Sequence, residues 1–139
     1  MASTVIDKPS AKDPESVRGD RHDRSSMKMV SCIIRPESLD AVKNAVGQLE
    51  LVGGMTVSDV RGFGRQKGQV EHYRGGEYLI RFLSKLKIDM AVREEDVDRV
   101  MGAISKAAHT GKVGDGKVFV VDLHNVVRIR TGERGAIAL

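Results

Sequence analysis

Two stretches with apolar residues at helical spacing, each flanked by β-forming runs, constrain this chain more than any other feature. Leu39, Val42, Ala45, Val46 and Leu49 recur every three or four positions, which predicts an amphipathic helix over residues 37–50. Pro36 can open that helix, because the first helical N–H needs no partner. Val97, Val100, Met101, Ile104 and Ala108 form the second stripe. It is entered through Glu94, Glu95 and Asp96, whose charge suits the positive end of a helix dipole. Met29 to Arg35 reads as a strand before the first helix, and the alternating run Met55 to Val60 as a strand after it, with Gly53-Gly54 as the break. Phe82 to Val92 and Val118 to Val127 flank the second helix in the same way.

The order is therefore βαβ, a long connection, then βαβ. This is an α+β ferredoxin-like βαββαβ sandwich, with two helices on one face of a four-stranded antiparallel sheet. Leu86, Ile88, Val118 and Val120 belong to strands that are apolar on both sides. Helices are available for one face only, so the other is expected to be covered by further copies of the chain.

With 139 residues the chain can form one domain with a core of its own. Residues 1–26 hold five acids, five Lys or Arg and few apolar side chains, so they are expected to be a disordered extension before a domain over 27–139. Their acids argue against a plastid transit peptide. Cys32 is the single cysteine, which excludes an internal disulfide and fits the cytoplasm, with the plastid stroma second. No secretory signal is expected, and no apolar run approaches the roughly 20 residues needed to cross a bilayer. The formal charge of +4 falls to the domain, because the extension's charges cancel. That excess suits an anionic ligand but is small for a nucleic-acid binder, and no specific nucleic-acid partner is expected.

Three segments carry the chemistry. Residues 64–81 form a long polar connection with Arg65, Lys67, Arg74 and Arg81 against Glu71 and Glu77, and with Tyr73 and Tyr78 near its apex. Connections this long in a small domain are usually functional or disordered. Gly111-Lys112-Val113-Gly114-Asp115-Gly116-Lys117 has the spacing of a P-loop, but Val118 replaces the Mg-binding Ser or Thr and a strand follows instead of a helix. The segment is either a plain turn or a backbone nest whose N–H groups meet an anion. Arg128-Ile129-Arg130 would place two guanidiniums on one side of a strand end, an arrangement suited to polyphosphate. The four histidines show no ligand spacing, and no catalytic triad is legible.

The blocks from Thr56 to Gly68, from Tyr73 to Tyr78 and from Thr110 to Lys117, followed by Arg128-Ile129-Arg130-Thr131-Gly132-Glu133, resemble the PII nitrogen-regulatory signal proteins in content and order. The resemblance implies a homotrimer with nucleotide sites between subunits, binding ATP or ADP and, with Mg-ATP, 2-oxoglutarate. It also implies a mobile T-loop, about 64–81, through which an ammonium channel or nitrogen-metabolism enzymes and regulators are controlled. Membrane association would be indirect, through the channel partner. By motif position, Gly114, Gly116 and Lys117 would cradle the phosphates, Arg128 and Arg130 would reach them from the subunit boundary with Arg65, and Thr56 would lie near the adenine. Gly62, Gly64 and Asp115 complete the implied nucleotide set. Gln66 would help hold Mg²⁺, Lys85 would pair with the distal carboxylate of 2-oxoglutarate, and Lys67 and Gly68 would contribute backbone N–H groups. Arg74 matches the channel-entering arginine, and Tyr78 the tyrosine that some members nucleotidylate. Gly76 stands where cyanobacterial relatives carry a phosphorylated serine, so that modification is absent. The implied activity is signalling, not catalysis. A regulator reading another small anion such as bicarbonate is the alternative, which retention of Gln66 and Lys85 disfavours. A slow ATPase is a further alternative, for which no base is evident.

Overall fold

The computed structural model describes residues 26–64, 70–73, 76–79 and 82–139. In chain order the elements are β1 (Met27–Ile34), α1 (Leu39–Leu49), β2 (Thr56–Gly62), β3 (Val70–Tyr73), β4 (Gly76–Leu79), β5 (Leu83–Arg93), α2 (Val97–Ala108) and β6 (Gly116–Asp122). Short 3-10 turns over Pro36–Ser38 and Glu94–Asp96 lead into the two helices, and a third, Gly135–Ala138, ends the chain. The main sheet has the order β2-β5-β1-β6, with every pairing antiparallel. This is the ferredoxin-like arrangement that the two similar halves predict.

Period two along the strands decides what is buried. Val30, Cys32 and Ile34 of β1 stand opposite Met90, Ile88 and Leu86 of β5, so all six point to one face. Val42 and Val46 of α1 and Val100, Ile104 and Ala108 of α2 close over them. Fully burying an aliphatic side chain of this size stabilises by about 1.5–3 kcal/mol, so this face supplies most of the fold's driving force. Burial also pushes the Cys32 thiol up to about 11, which keeps it protonated and inert as a nucleophile.

Met29, Ser31 and Ile33 of β1 and Phe119 and Val121 of β6 point to the opposite face, which carries no helix among the described residues. Phe119 is 46% and Val121 57% exposed. Val118 and Val120 turn out to share the helix-covered side with Cys32 and Val30, so the apolar character of the open face rests on their neighbours.

Several predicted boundaries shift, each for a local reason. β1 begins at Met27, because its ladder with β5 runs from Met27 opposite Arg93. The first helix ends at Leu49, where Glu50 adopts a left-handed φ of 55°, so Gly53-Gly54 lie beyond the break they were expected to make. Gly53 instead sits against the chain end, where an added Cβ would lie 3.5 Å from the carbonyl carbon of Leu139. The last strand starts two residues early, since Gly116 pairs with Ile34, and ends at Asp122 rather than Val127. Its partner β1 is exhausted there, and Leu123 N–H makes the final bond to the Met27 carbonyl at 3.1 Å. The connection between β2 and β5 is not wholly irregular: β3 and β4 pair as a small antiparallel ladder, with Val70 opposite Leu79 and Tyr73 opposite Gly76. Of the expected extension over 1–26, residues 1–25 lie outside the described residues, and Ser26 joins the domain, its carbonyl accepting the Glu94 N–H at 2.8 Å.

Candidate functional site

The loop from α2 to β6 is held by a network that reaches into three other parts of the chain. α2 stops at Ala108, and the chain then turns through Gly111 and Gly114, with φ of 86° and 106°. These are left-handed values at which a side chain would be strained. Inside the turn the Asp115 carboxylate accepts the N–H of Thr110 at 2.7 Å, the N–H of Gly111 at 2.9 Å and the Thr110 hydroxyl. Arg35, immediately after β1, donates from Nε to the same carboxylate at 3.2 Å. Donation by the Thr110 hydroxyl and amide, and then by Gly111 and Arg35, holds the Asp115 carboxyl well below the usual carboxylate range.

The loop's carbonyls are held from the opposite side. Arg35 Nη2 donates to the Val113 carbonyl at 2.7 Å, and Lys85 Nζ, near the start of β5, donates to the Gly114 carbonyl at 2.8 Å. Burial and the neighbouring Arg35 cation lower the pKa of the Lys85 ammonium, against Glu37 and Asp115, which raise it. Two consecutive carbonyls are thus fixed by cations. In a planar trans peptide the N–H points opposite to the C=O. The amides of Gly114 and Asp115 are therefore directed away from Arg35 and Lys85, as an anion-binding turn requires.

Gly116 has a second reason to be glycine. Its φ is 105°, and an added Cβ would lie 1.7 Å from the Ile33 carbonyl oxygen. The close approach of β6 to β1 alone excludes any side chain there. Lys117 follows, exposed and opposite Ile33, so it belongs to the open face of the sheet.

The expected pairing of Arg128 and Arg130 on a strand end is not observed. After Asp122 the chain leaves the sheet, and residues 128–133 form a turn closed by Arg128 N–H to the Glu133 carbonyl at 2.9 Å and Gly132 N–H to the Arg128 carbonyl at 2.7 Å. The Arg128 guanidinium donates to Glu133 Oε1 at 2.8 Å and to the carbonyls of Ile137 and Leu139 at 3.0 and 3.2 Å. Arg130 is exposed. The segment has no strand partner to impose the alternation, so period two does not apply.

The remaining predicted residues are dispersed. Thr56 opens β2, exposed and opposite Asp89. Asp89 is opposite Ser31, which is opposite Phe119. Thr56 and Lys117 consequently stand on opposite edge strands, three strand spacings or about 14 Å apart across the sheet and offset by two residues along it. Gly62 ends β2, where an added Cβ would touch Lys85 Cγ at 3.4 Å, and Gly64 lies exposed just beyond. Tyr78 is in β4, opposite Glu71. Arg65, Gln66, Lys67, Gly68 and Arg74 lie outside the described residues. The Asp115 carboxylate is committed to organising its own loop, and Arg35, which holds that loop from 80 positions away, carries no sequence signal of its role. Among the described residues no group of three or more His, Cys, Asp or Glu is placed to hold a metal, and no helix is long and apolar enough to cross a membrane.

This geometry has close counterparts. Residues 27–133 match the family model described as nitrogen regulatory protein P-II. Nitrogen regulatory protein GlnK of Escherichia coli is 51% identical over 113 residues, covering 81% of this chain and all of that relative. A nitrogen regulatory protein P-II of Synechocystis is 56% identical over the same length and coverage. The solved structure of Arabidopsis thaliana PII bound to citrate superposes with a TM-score of 0.68 at 37% identity, covering 83% of this chain and 94% of that one. The chain belongs to the P-II family of nitrogen regulatory proteins.

Proposed function

We propose that this nitrogen regulator senses ATP or ADP together with 2-oxoglutarate, and that it does so as a homotrimer whose nucleotide sites lie between neighbouring chains. The observation that carries the reading is the loop from Thr110 to Gly116, whose carbonyls of Val113 and Gly114 are held by Arg35 and Lys85. A turn built this way presents N–H groups to phosphate, and the exposed Lys117 supplies charge beside it. The distribution of Thr56 and Lys117 on opposite edge strands supports a site completed by a second chain. The helix-free face with Phe119 and Val121 supports the same assembly. Citrate bound to the Arabidopsis relative supports a carboxylate effector.

In this reading Lys85 pairs with the distal carboxylate of 2-oxoglutarate, and Gln66 would help hold an Mg²⁺ that would neutralise phosphate charge. Binding of the two effectors is then coupled, because each completes the other's site. The loop over 64–81, with Arg74 and Tyr78, engages the target, either an ammonium channel or an enzyme or regulator of nitrogen assimilation. Its rearrangement draws only on the difference in effector affinity between its states.

Calorimetric titration with 2-oxoglutarate, with and without Mg-ATP, tests this reading. Binding that requires Mg-ATP is the expected result. ATP binding without any response to 2-oxoglutarate would keep the cleft and withdraw nitrogen sensing through that acid. Lys85→Ala should abolish 2-oxoglutarate binding and weaken ATP by a smaller factor, since the ammonium also holds the Gly114 carbonyl. Equal losses would place the acid elsewhere.

A further inference from the structure

We propose that Arg35 is the positioning residue of the phosphate loop, setting nucleotide affinity by holding the Val113 carbonyl so that the Gly114 amide faces the ligand. The inference rests on the nucleotide reading above and adds a residue that neither the motif pattern nor the family blocks single out.

Three features carry it. Arg35 uses different atoms for different acceptors, Nε for Asp115 Oδ1 at 3.2 Å and Nη2 for the Val113 carbonyl at 2.7 Å. It therefore fixes both the acid that gathers the loop's first amides and the carbonyl whose peptide carries the Gly114 amide. The Arg35–Asp115 contact is partly shielded, with 16% of the Arg35 side chain and 22% of the Asp115 side chain exposed, while the bond to the Val113 carbonyl lies at the surface. Shielded, charge-assisted hydrogen bonds are stronger than bonds between neutral groups. Finally, Arg35 is anchored by its neighbours: it follows the last residue of β1 directly, and its carbonyl accepts the Ser38 N–H at 3.0 Å. A rigid strand end thus orients a turn that glycines would otherwise leave free to reorient.

A bound phosphate repels carbonyl oxygens and attracts amides. Without Arg35 the peptide between Val113 and Gly114 can flip, and the loop must be reordered at the moment of binding, at the expense of affinity. A lysine at this position would supply the charge but not the planar fork, so it could satisfy one acceptor and not both.

The test titrates ADP calorimetrically into the unaltered chain, Arg35→Leu and Arg35→Lys, and compares the amide spectra of the ligand-free proteins. Arg35→Leu should lose about tenfold in ADP affinity, the size of one charge-assisted hydrogen bond. Arg35→Lys should lose less, and the Gly114 amide should shift while those of β1 and β5 stay in place. Unchanged ADP affinity in Arg35→Leu would overturn the inference, as would a loss accompanied by shifts throughout the sheet. If Arg35→Leu fails to fold, Arg35→Lys decides: unaltered affinity together with an unmoved Gly114 amide removes the proposed role. Absence of ADP binding in the unaltered chain would instead withdraw the nucleotide reading itself, and this inference with it.

Discussion

The loop from Thr110 to Gly116 and the turn from Arg128 to Gly135 are both glycine-punctuated and each built around one Arg–carboxylate pair, yet they are held differently. In the first, Arg35 and Lys85 reach the loop from 78 and 29 positions away. In the second, Arg128 contacts Glu133, Ile137 and Leu139, at most 11 positions along the chain. The first loop is therefore part of the sheet's own order, and a change at Lys85 is felt at Gly114. The second is a clasp held mainly by local bonds, with one long-range addition from Arg93 Nη2 to the Ala136 carbonyl at 3.4 Å. In the proposed reading, coupling between an effector at Lys85 and a phosphate at the loop would need the first kind of construction.

The largest test of that contrast exchanges one glycine in each. Gly116→Ala puts a Cβ into the Ile33 carbonyl at a left-handed φ. A destabilisation of roughly 3 kcal/mol or more is expected from strain and overpacking together. Gly132 also has a positive φ, of 73°, but open space around it, so Gly132→Ala should cost about 1 kcal/mol. Denaturant unfolding of the two variants measures both, and comparable losses would mean that the tail is as integral as the loop.

A subtler test uses pH. Because the folded-state pKa of Asp115 is depressed, its stabilising contribution is present above the ordinary aspartate value of about 3.9 and is lost only as pH falls through the lower folded value. The amide shifts of Thr110 and Gly111 should consequently stay flat through pH values near 4. An inflection there would show that the carboxylate is not held as described.

A modest effect is expected at the tail. Arg128→Ala should change global stability by about 1–2 kcal/mol, the usual worth of a partly exposed, charge-assisted hydrogen-bond cluster. It should nonetheless speed carboxypeptidase removal of the residues after Glu133, since the carbonyls of Ile137 and Leu139 lose their donor. Unchanged trimming would show that the clasp is held by other contacts.

How much was legible in advance follows the same division. The stripes through Val42 and Val46 and through Val100 and Ile104 are local patterns, and both appear in the structure as buried helix faces. The strands were recognisable by composition, but their ends were not, because the end of β6 depends on where β1 begins. The glycines of the loop were visible, although the decisive constraint on Gly116 comes from Ile33, far away in sequence. Arg128 and Arg130 were visible as a pair, and their expected alternation fails because no neighbouring strand imposes it.

The sequence alone determined the order of elements, the side of each helix that is buried and the family to which the chain belongs, since all of these are written in spacing between near neighbours. Tertiary structure decided which charges serve the backbone. Asp115, Arg35 and Lys85 meet only when the antiparallel sheet brings the end of β1 and the start of β5 beside the loop leading into β6. A hydrogen bond between groups tens of residues apart leaves no periodicity in the chain, so only the fold could assign their roles.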